Sequence, residues 1–152
     1  MTIHPCIIDV AKVKILPITL EAAIEVASDL RPEDRREVEE GHGVDPFTSI
    51  ISKAQEGSCI YFTMPNGRTA GMAGVEDDGL IWMLTTTAIY EHPFAFTRGA
   101  KKFVDSYSHQ KLWNIIDKRN TVHLKLLKFL GFEFLEEIFY GPNNLPFIKF
   151  YK

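Results

Sequence analysis

Residues 120–132 read Asn-Thr-Val-His-Leu-Lys-Leu-Leu-Lys-Phe-Leu-Gly-Phe, and the parsing of the whole chain turns on them. Asn120 is a residue type whose side chain accepts from the orphan amides of a first helical turn, which makes it a candidate N-cap. Leu124, Leu127 and Leu130 fall on one stripe at helical spacing, widened by Val122, Leu126 and Phe129. Lys125 and Lys128 take the polar side, close to the negative end of the helix dipole. Gly131 suits the left-handed conformation that closes a helix, and Phe132-Glu133-Phe134 then alternates as a strand does. A short helix, a Gly stop and an immediate strand point to a mixed α and β domain.

Upstream, residues 12–18 alternate charged and apolar side chains before Pro17, which predicts a short first strand at a sheet edge. Thr19 caps an amphipathic helix over 20–30, without completing a capping box with Ala22. Pro32 opens a second, highly charged helix over 32–40, broken by Gly41-His42-Gly43. Asp45-Pro46 is another cap-plus-Pro start, for a helix running to about Ala54 and stopping near Gly57. Strand-forming stretches at 58–64, 68–75 and 80–86 are separated by Pro65-Asn66-Gly67 and Asp77-Asp78-Gly79, so they predict a three-strand antiparallel meander. His92-Pro93 starts a helix to about Ser108, and 112–116 is a short apolar strand. After residues 120–132 come strands at about 134–139 and 146–151, with a Gly-Pro-Asn-Asn turn between them. The last of these is read either as an edge strand able to pair with a second copy or as a covered edge within one molecule.

The chain has 152 residues, a size expected for a single domain over 1–152 with its own core. Hydrophobic residues make up 45% and charged residues 24%, an ordinary globular balance. A formal net charge of −3 supplies no broad basic field, so no nucleic-acid partner is expected. Cys6 and Cys59 are too few for a disulfide framework and do not form a CxxC pair, so free thiols are expected. No apolar run approaches the ~20 residues of a membrane span, and no signal peptide is read, so a soluble intracellular protein is expected. The five His and two Cys have no metal-ligand spacing, and no metal is expected. Nucleophile elbows, Rossmann loops and Walker loops are not found.

The element order β, helices, βββ, α, β, α, ββ, with Asn120 and Leu-x-x-Leu-Gly-Phe late in the chain, resembles the GNAT superfamily of acetyl-CoA-dependent N-acetyltransferases. The resemblance implies an α+β fold with a central, mostly antiparallel sheet flanked by helices. It also implies a cleft where a strand splays from its neighbour to admit acyl-CoA, with the pyrophosphate on the N-terminus of the next helix. On this sequence Met83, Leu84 and Thr85 would face the pantetheine, residues 90–97 would form the loop and helix start, and Thr97, Arg98 and Asn120 would join the cofactor site. Trp82-Met83-Leu84-Thr85, His92-Pro93-x-x-Phe96, Leu112-Trp113-Asn114 and Asn120-Thr121-x-His123 are similar to a phage branch, the internal virion protein A family of short-tailed phages. That likeness implies a phage-encoded protein in the host cytoplasm or the virion, with a phage or host protein partner.

The sequence departs from the superfamily in two places. The pyrophosphate loop pattern, Arg/Gln-x-x-Gly-x-Gly/Ala, falls on residues 95–100, where only Ala100 matches. The Tyr that many members use as proton donor to the leaving thiolate falls on Leu127, which has no proton to give.

The proton-handling candidates are therefore Glu76, Asp117 and His123. Each also has a structural reading: turn chemistry beside Glu76, pairing of Asp117 with Lys118 or Arg119, and a surface or capping contact of His123 near Asn120. A strand amide near Leu84 or Thr85 would stabilise the oxyanion. Arg98, Lys101 and Lys102 are either long-reach phosphate ligands or a solvated helix face, and Trp82 and Trp113 are either core or cleft wall. Two functions follow. One is an N-acyltransferase using acetyl-CoA and an unidentified amine or protein acceptor. The other is a GNAT-like fold without transfer activity that serves phage assembly or host binding.

Overall fold

The computed structural model describes residues 12–152; Cys6 lies outside them. Strand β1 (Lys14–Pro17) leads into helix α1 (Leu20–Ser28), and a short helix α2 (Pro32–Arg36) runs on into a wide π-type turn (Glu37–His42). Helix α3 (Pro46–Glu56), the meander β2 (Ile60–Thr63), β3 (Thr69–Val75) and β4 (Ile81–Thr85), and a 3₁₀ turn (Thr87–Tyr90) follow. Helix α4 (Pro93–Asp105), β5 (Trp113–Asp117), α5 (Thr121–Phe129), β6 (Glu133–Tyr140) and β7 (Leu145–Tyr151) complete the order.

The caps form as their chemistry requires. Thr19 accepts from the Ala22 amide at 3.1 Å, and Asp45 accepts from the Thr48 amide at 2.8 Å. In the first hairpin turn the Arg68 amide donates to Asn66 Oδ1 at 3.0 Å, and in the second the Leu80 amide donates to Asp78 Oδ1 at 3.1 Å. The charged helix expected over 32–40 differs. It is α-helical only to Arg36, and the wider turn swings Glu37, Val38 and His42 toward the sheet.

Strands β1-β2-β3-β4 form one antiparallel sheet, and β5-β7-β6 form another. They join only at the base of β4, where Leu80 bridges Trp113 in parallel and the Trp113 amide donates to Gly79 O at 3.0 Å. Beyond that point β4 and β5 diverge. The final strand is not an edge: β7 inserts between β5 and β6, so β6 is the edge strand. The amphipathic pattern of β7 fits this place, with Phe147 and Phe150 buried while β6 shows most of its side chains to solvent.

Side chains bury on both faces. On one face Ala23 and Val26 of α1, Leu30 just beyond it and Ile50 of α3 pack with Met72. On the other, Phe62 meets Phe96 and Phe103 of α4 edge-to-face at centroid distances of 5.7 and 6.0 Å. No helix among the described residues is long and apolar enough to cross a membrane.

Candidate active site

The divergence of β4 from β5 opens a cavity of about 570 Å³. Its walls are mainly apolar, from Trp82, Met83 and Leu84 on β4, Ile115 on β5, and Leu126 and Leu127 on α5. His42, Ser49, Lys53 and Tyr140 also line it. Two glycines allow these walls to form. A Cβ on Gly74 would lie 2.8 Å from the Trp82 indole nitrogen, so only Gly lets that ring lie against β3. Gly141, at φ +79, passes so close to the Gly41 carbonyl that a side chain would collide with backbone, which holds the β6–β7 turn against the π-type turn.

Hydrogen-bond parity along β4 decides which backbone groups face the cleft. The Thr86 amide donates to Ala70 O at 2.9 Å and the Glu76 amide to Leu80 O at 2.9 Å, so Leu84 and Trp82 are also hydrogen-bonded to β3. Ile81, Met83 and Thr85 therefore turn their peptide groups outward. The Ile81 carbonyl accepts from Asn114 Nδ2 at 2.6 Å. The Thr85 amide donates to Asp34 Oδ2 at 2.9 Å, and its carbonyl accepts from the Arg31 amide at 3.0 Å. Met83 lies between these occupied positions and lines the cavity.

The far end of the splay is closed by a buried polar cluster. Arg31, Asp34, Thr85 and Asn120 are each at most 2% exposed. Arg31 donates to Asp34 Oδ1 at 3.2 Å, to Asn120 Oδ1 at 3.3 Å and, from Nε, to the Tyr90 hydroxyl at 2.8 Å. Asn120 Nδ2 donates to Asp34 Oδ1 at 2.9 Å, and the Thr85 hydroxyl donates to Asp34 Oδ2 at 2.6 Å. A buried carboxylate and guanidinium are tolerable here because each is paired and hydrogen-bonded.

The residues singled out from sequence do not converge on one point. Asn120 is not a side-chain cap: its carbonyl starts α5, accepting from the Leu124 amide at 3.0 Å, but its side chain is spent on Asp34 and Arg31. His123 lines the cavity, but its Nε2 is 3.0 Å from the Thr85 hydroxyl and its Nδ1 is 3.7 Å from Asp34. Because that hydroxyl gives its only proton to Asp34, it accepts from Nε2–H, which assigns this tautomer. Burial lowers the His123 pKa and favours the neutral ring. Asp117 is clasped by Arg119 through Nε at 3.1 Å and Nη2 at 2.8 Å. Burial pushes its carboxyl up, but the Arg119 hydrogen bonds outweigh this and hold it below the ordinary value.

Glu76 pairs with Lys53 at 3.0 Å and is not among the cavity-lining residues. Met83 and Leu84 line the cavity, whereas Thr85 belongs to the buried cluster. The window 95–100 is not a loop: all of it lies within α4, with Ala95, Phe96, Gly99 and Ala100 buried. A Cβ on Gly99 would meet Val13 at 2.9 Å, so this glycine serves packing against the residue just before β1. The Thr97 hydroxyl donates to Pro93 O at 2.7 Å, and neither Thr97 nor Arg98 lines the cavity. Of the stripe expected on residues 120–132, Leu124, Leu127 and Leu130 face the core with Leu126, but Phe129 is 60% and Val122 37% exposed while His123 is buried.

Three residues that sequence reasoning passed over matter most. Arg31 and Asp34 build the cluster, and Glu37 is the cavity's acid. The Asp117 amide donates to Glu37 Oε1 at 3.0 Å. Burial beneath the cleft pushes the Glu37 pKa up to about 8. The signal was present in a helical count, since Arg31, Asp34, Val38 and Gly41 share one face and Val38 marks that face as inward. Among the described residues no group of His, Cys, Asp or Glu is disposed to hold a metal ion.

No protein-family model matches the sequence, and no curated protein matches it. Solved structures do. A GNAT-family acetyltransferase from Bacillus anthracis has a TM-score of 0.69 at 9% identity, over 92% of this chain and 93% of that one. A GCN5-related N-acetyltransferase from Brucella melitensis has a TM-score of 0.67 at 14% identity, over 93% of this chain and 75% of that one. Spermidine N-acetyltransferase from Vibrio cholerae, in complex with CoA and spermine, has a TM-score of 0.62 at 11% identity, over 93% of this chain and 95% of that one. At these identities the likeness is one of fold. The chain has the fold of the GNAT acetyltransferases.

Proposed function

We propose that this protein is an acyl-CoA-dependent N-acyltransferase that uses Glu37 and the Met83 amide. The observation that carries the reading is that an outward strand peptide and a buried carboxyl of raised pKa share one apolar cleft. Acyl-CoA supplies the thioester carbonyl. The amine lone pair forms the new C–N bond, the C–S bond breaks, and the sulfur leaves as thiolate. Starting from the neutral amine, the ionised form of Glu37, which grows as pH approaches about 8, takes the proton lost by nitrogen and returns one to sulfur, so no net proton is consumed. The Met83 N–H, aimed into the cleft, receives the oxyanion, a role one residue upstream of the Leu84 and Thr85 amides considered from sequence. Of those two, Leu84 is turned to β3 and Thr85 is bound by Asp34.

With Thr85 occupied, an acyl-pantetheine arm would have Met83 as its anchor on β4. Thr97 and Arg98, on the opening turns of α4, would then approach the phosphates from outside the cavity. Glu76, Asp117 and His123 become supporting groups, because each already holds a protein partner.

A second reading is a GNAT fold without transfer activity, serving as a phage virion-assembly or host-interaction protein. It is favoured by the occupied Thr85 peptide together with Leu127 at the proton donor's place. The phage part of either reading rests on the sequence likeness of the Trp82, His92, Leu112 and Asn120 stretches. Calorimetric titration with acetyl-CoA separates the two. Binding at 100 times the dissociation constant adds about 2.7 kcal/mol of stability. Absence of both heat and stabilisation at millimolar acetyl-CoA overturns the transferase.

A further inference from the structure

Resting on the transferase reading, we infer that the acceptor is an aromatic monoamine rather than a polyamine or a lysine-rich peptide. Aromatic rings are prominent in the lining: Trp82, Trp113, Tyr140 and the His42 ring all face the cavity. They are also held in place. Trp113 Nε1 donates to Asp78 O at 3.2 Å, and the Tyr140 hydroxyl is 3.1 Å from His42 Nδ1. Fixed rings of this kind receive a flat apolar body in edge or offset contact at little cost in side-chain freedom.

The charges point the same way. Among the described residues, the acidic and basic side chains lining the cavity are Glu37, His42, Lys53 and His123, besides the Tyr140 phenol. Lys53, shared by Glu76 and Glu56, lies 5.7 Å from the centroid of the Trp82 ring. The carboxylates nearby are already paired: Glu76 and Glu56 with Lys53, Asp34 with Arg31, and Asp117 with Arg119. Among the described lining residues Glu37 is thus the one carboxyl, and in its ionised form it can meet a single ammonium group. Burial holds His42 toward its neutral form. A single amine finds a partner in this cleft. A second or third ammonium would be desolvated against the apolar walls with no further lining carboxylate to meet it, which is costly.

The chain's two tryptophans both line the cavity, so intrinsic fluorescence reports its occupancy without any acyl donor. The test titrates the full chain with phenethylamine and, separately, with spermidine at physiological ionic strength, where diffuse attraction to the net charge is screened. The expected result is saturable binding of phenethylamine about tenfold or more tighter than spermidine. Trp82→Leu should remove that preference while the fold is retained by circular dichroism. Equal or tighter binding of spermidine overturns the inference, as does the lack of any saturable phenethylamine response. Adding acetyl-CoA distinguishes the two claims. Phenethylamine binding with no acetyl transfer to it removes the transferase reading and leaves the pocket chemistry standing. Transfer to spermidine in preference to phenethylamine does the reverse.

Discussion

Replacing Glu37 with Gln tests the chemistry of the cleft through protein stability. The carboxyl is pushed up to about 8 from an ordinary 4.5. Between those values the folded protein keeps a proton that the unfolded chain has released, so folding takes up a proton and stability falls as pH rises. The contribution is fully favourable below 4.5 and is lost once pH passes about 8. At 1.36 kcal/mol per pH unit over about 3.5 units, the ceiling is roughly 5 kcal/mol, reduced by whatever water the cavity admits. For a chain of this size that corresponds to a fall in Tm of roughly 10–20 °C at most.

Gln keeps an oxygen to accept from the Asp117 amide and has no proton to lose. Thermal and urea unfolding of both proteins at several values between about pH 5 and pH 9 isolates the effect, because every other titrating group is shared. The stability difference, Glu37→Gln minus wild type, should rise steadily with pH, while acyl transfer is lost at all pH values. A difference that stays within about 0.5 kcal/mol across that range would mean a water-accessible carboxylate of ordinary pKa, and the proposed proton relay would fall with it.

Three other substitutions probe separate parts of the site. Asp34→Asn leaves the buried Arg31 guanidinium with Glu33, at 3.4 Å, as its remaining carboxylate and should cost about 3 kcal/mol in urea unfolding. Met83→Pro deletes an amide that β3 does not use, so circular dichroism should be preserved. Its kcat should fall by about 10²–10³ on loss of one oxyanion donor; an unchanged kcat would exclude that donor. Leu127→Tyr places a phenol in the cavity wall where the superfamily pattern expects a proton donor, and a general acid contributes about 10²–10⁴ to rate. A rise in kcat above wild type is expected, and no rise would show that Glu37 already covers the thiolate.

Much of the fold was legible because its local chemistry is strong. Asp45-Pro46, Asn66-Gly67 and Asp78-Gly79 each form the start or turn their residue types favour. The strand at 146–151 was placed in sequence but not in space, since strand order is set by packing over long separations that no local pattern encodes. The site was less legible. Read in isolation, Arg31, Asp34 and Glu37 belong to a charged run that suits a solvated helix. What buries them is the wide turn after Arg36 together with contacts to Thr85, Asn120 and Asp117, which lie 51 to 86 residues away in the chain. Residues 95–100 were aligned to a loop pattern, yet their apolar spacing is that of a helix against the sheet, and burial of Phe96 and Ala100 prevails.

The backbone bonds of Arg31 to Thr85, and the side chains of Arg31 and Asp34 reaching Asn120, tie together the two half-sheets at the end where they have parted. This is a strut across an open V. The strands meet at Leu80 and Trp113 and the strut spans their parted end, so the cleft is tied at both ends of β4. Asn120→Ala would remove the Asn120 bonds to Asp34 and Arg31 and is expected to loosen the parted end. Cleft width would then be tuned from the core, through residues other than those of its apolar walls.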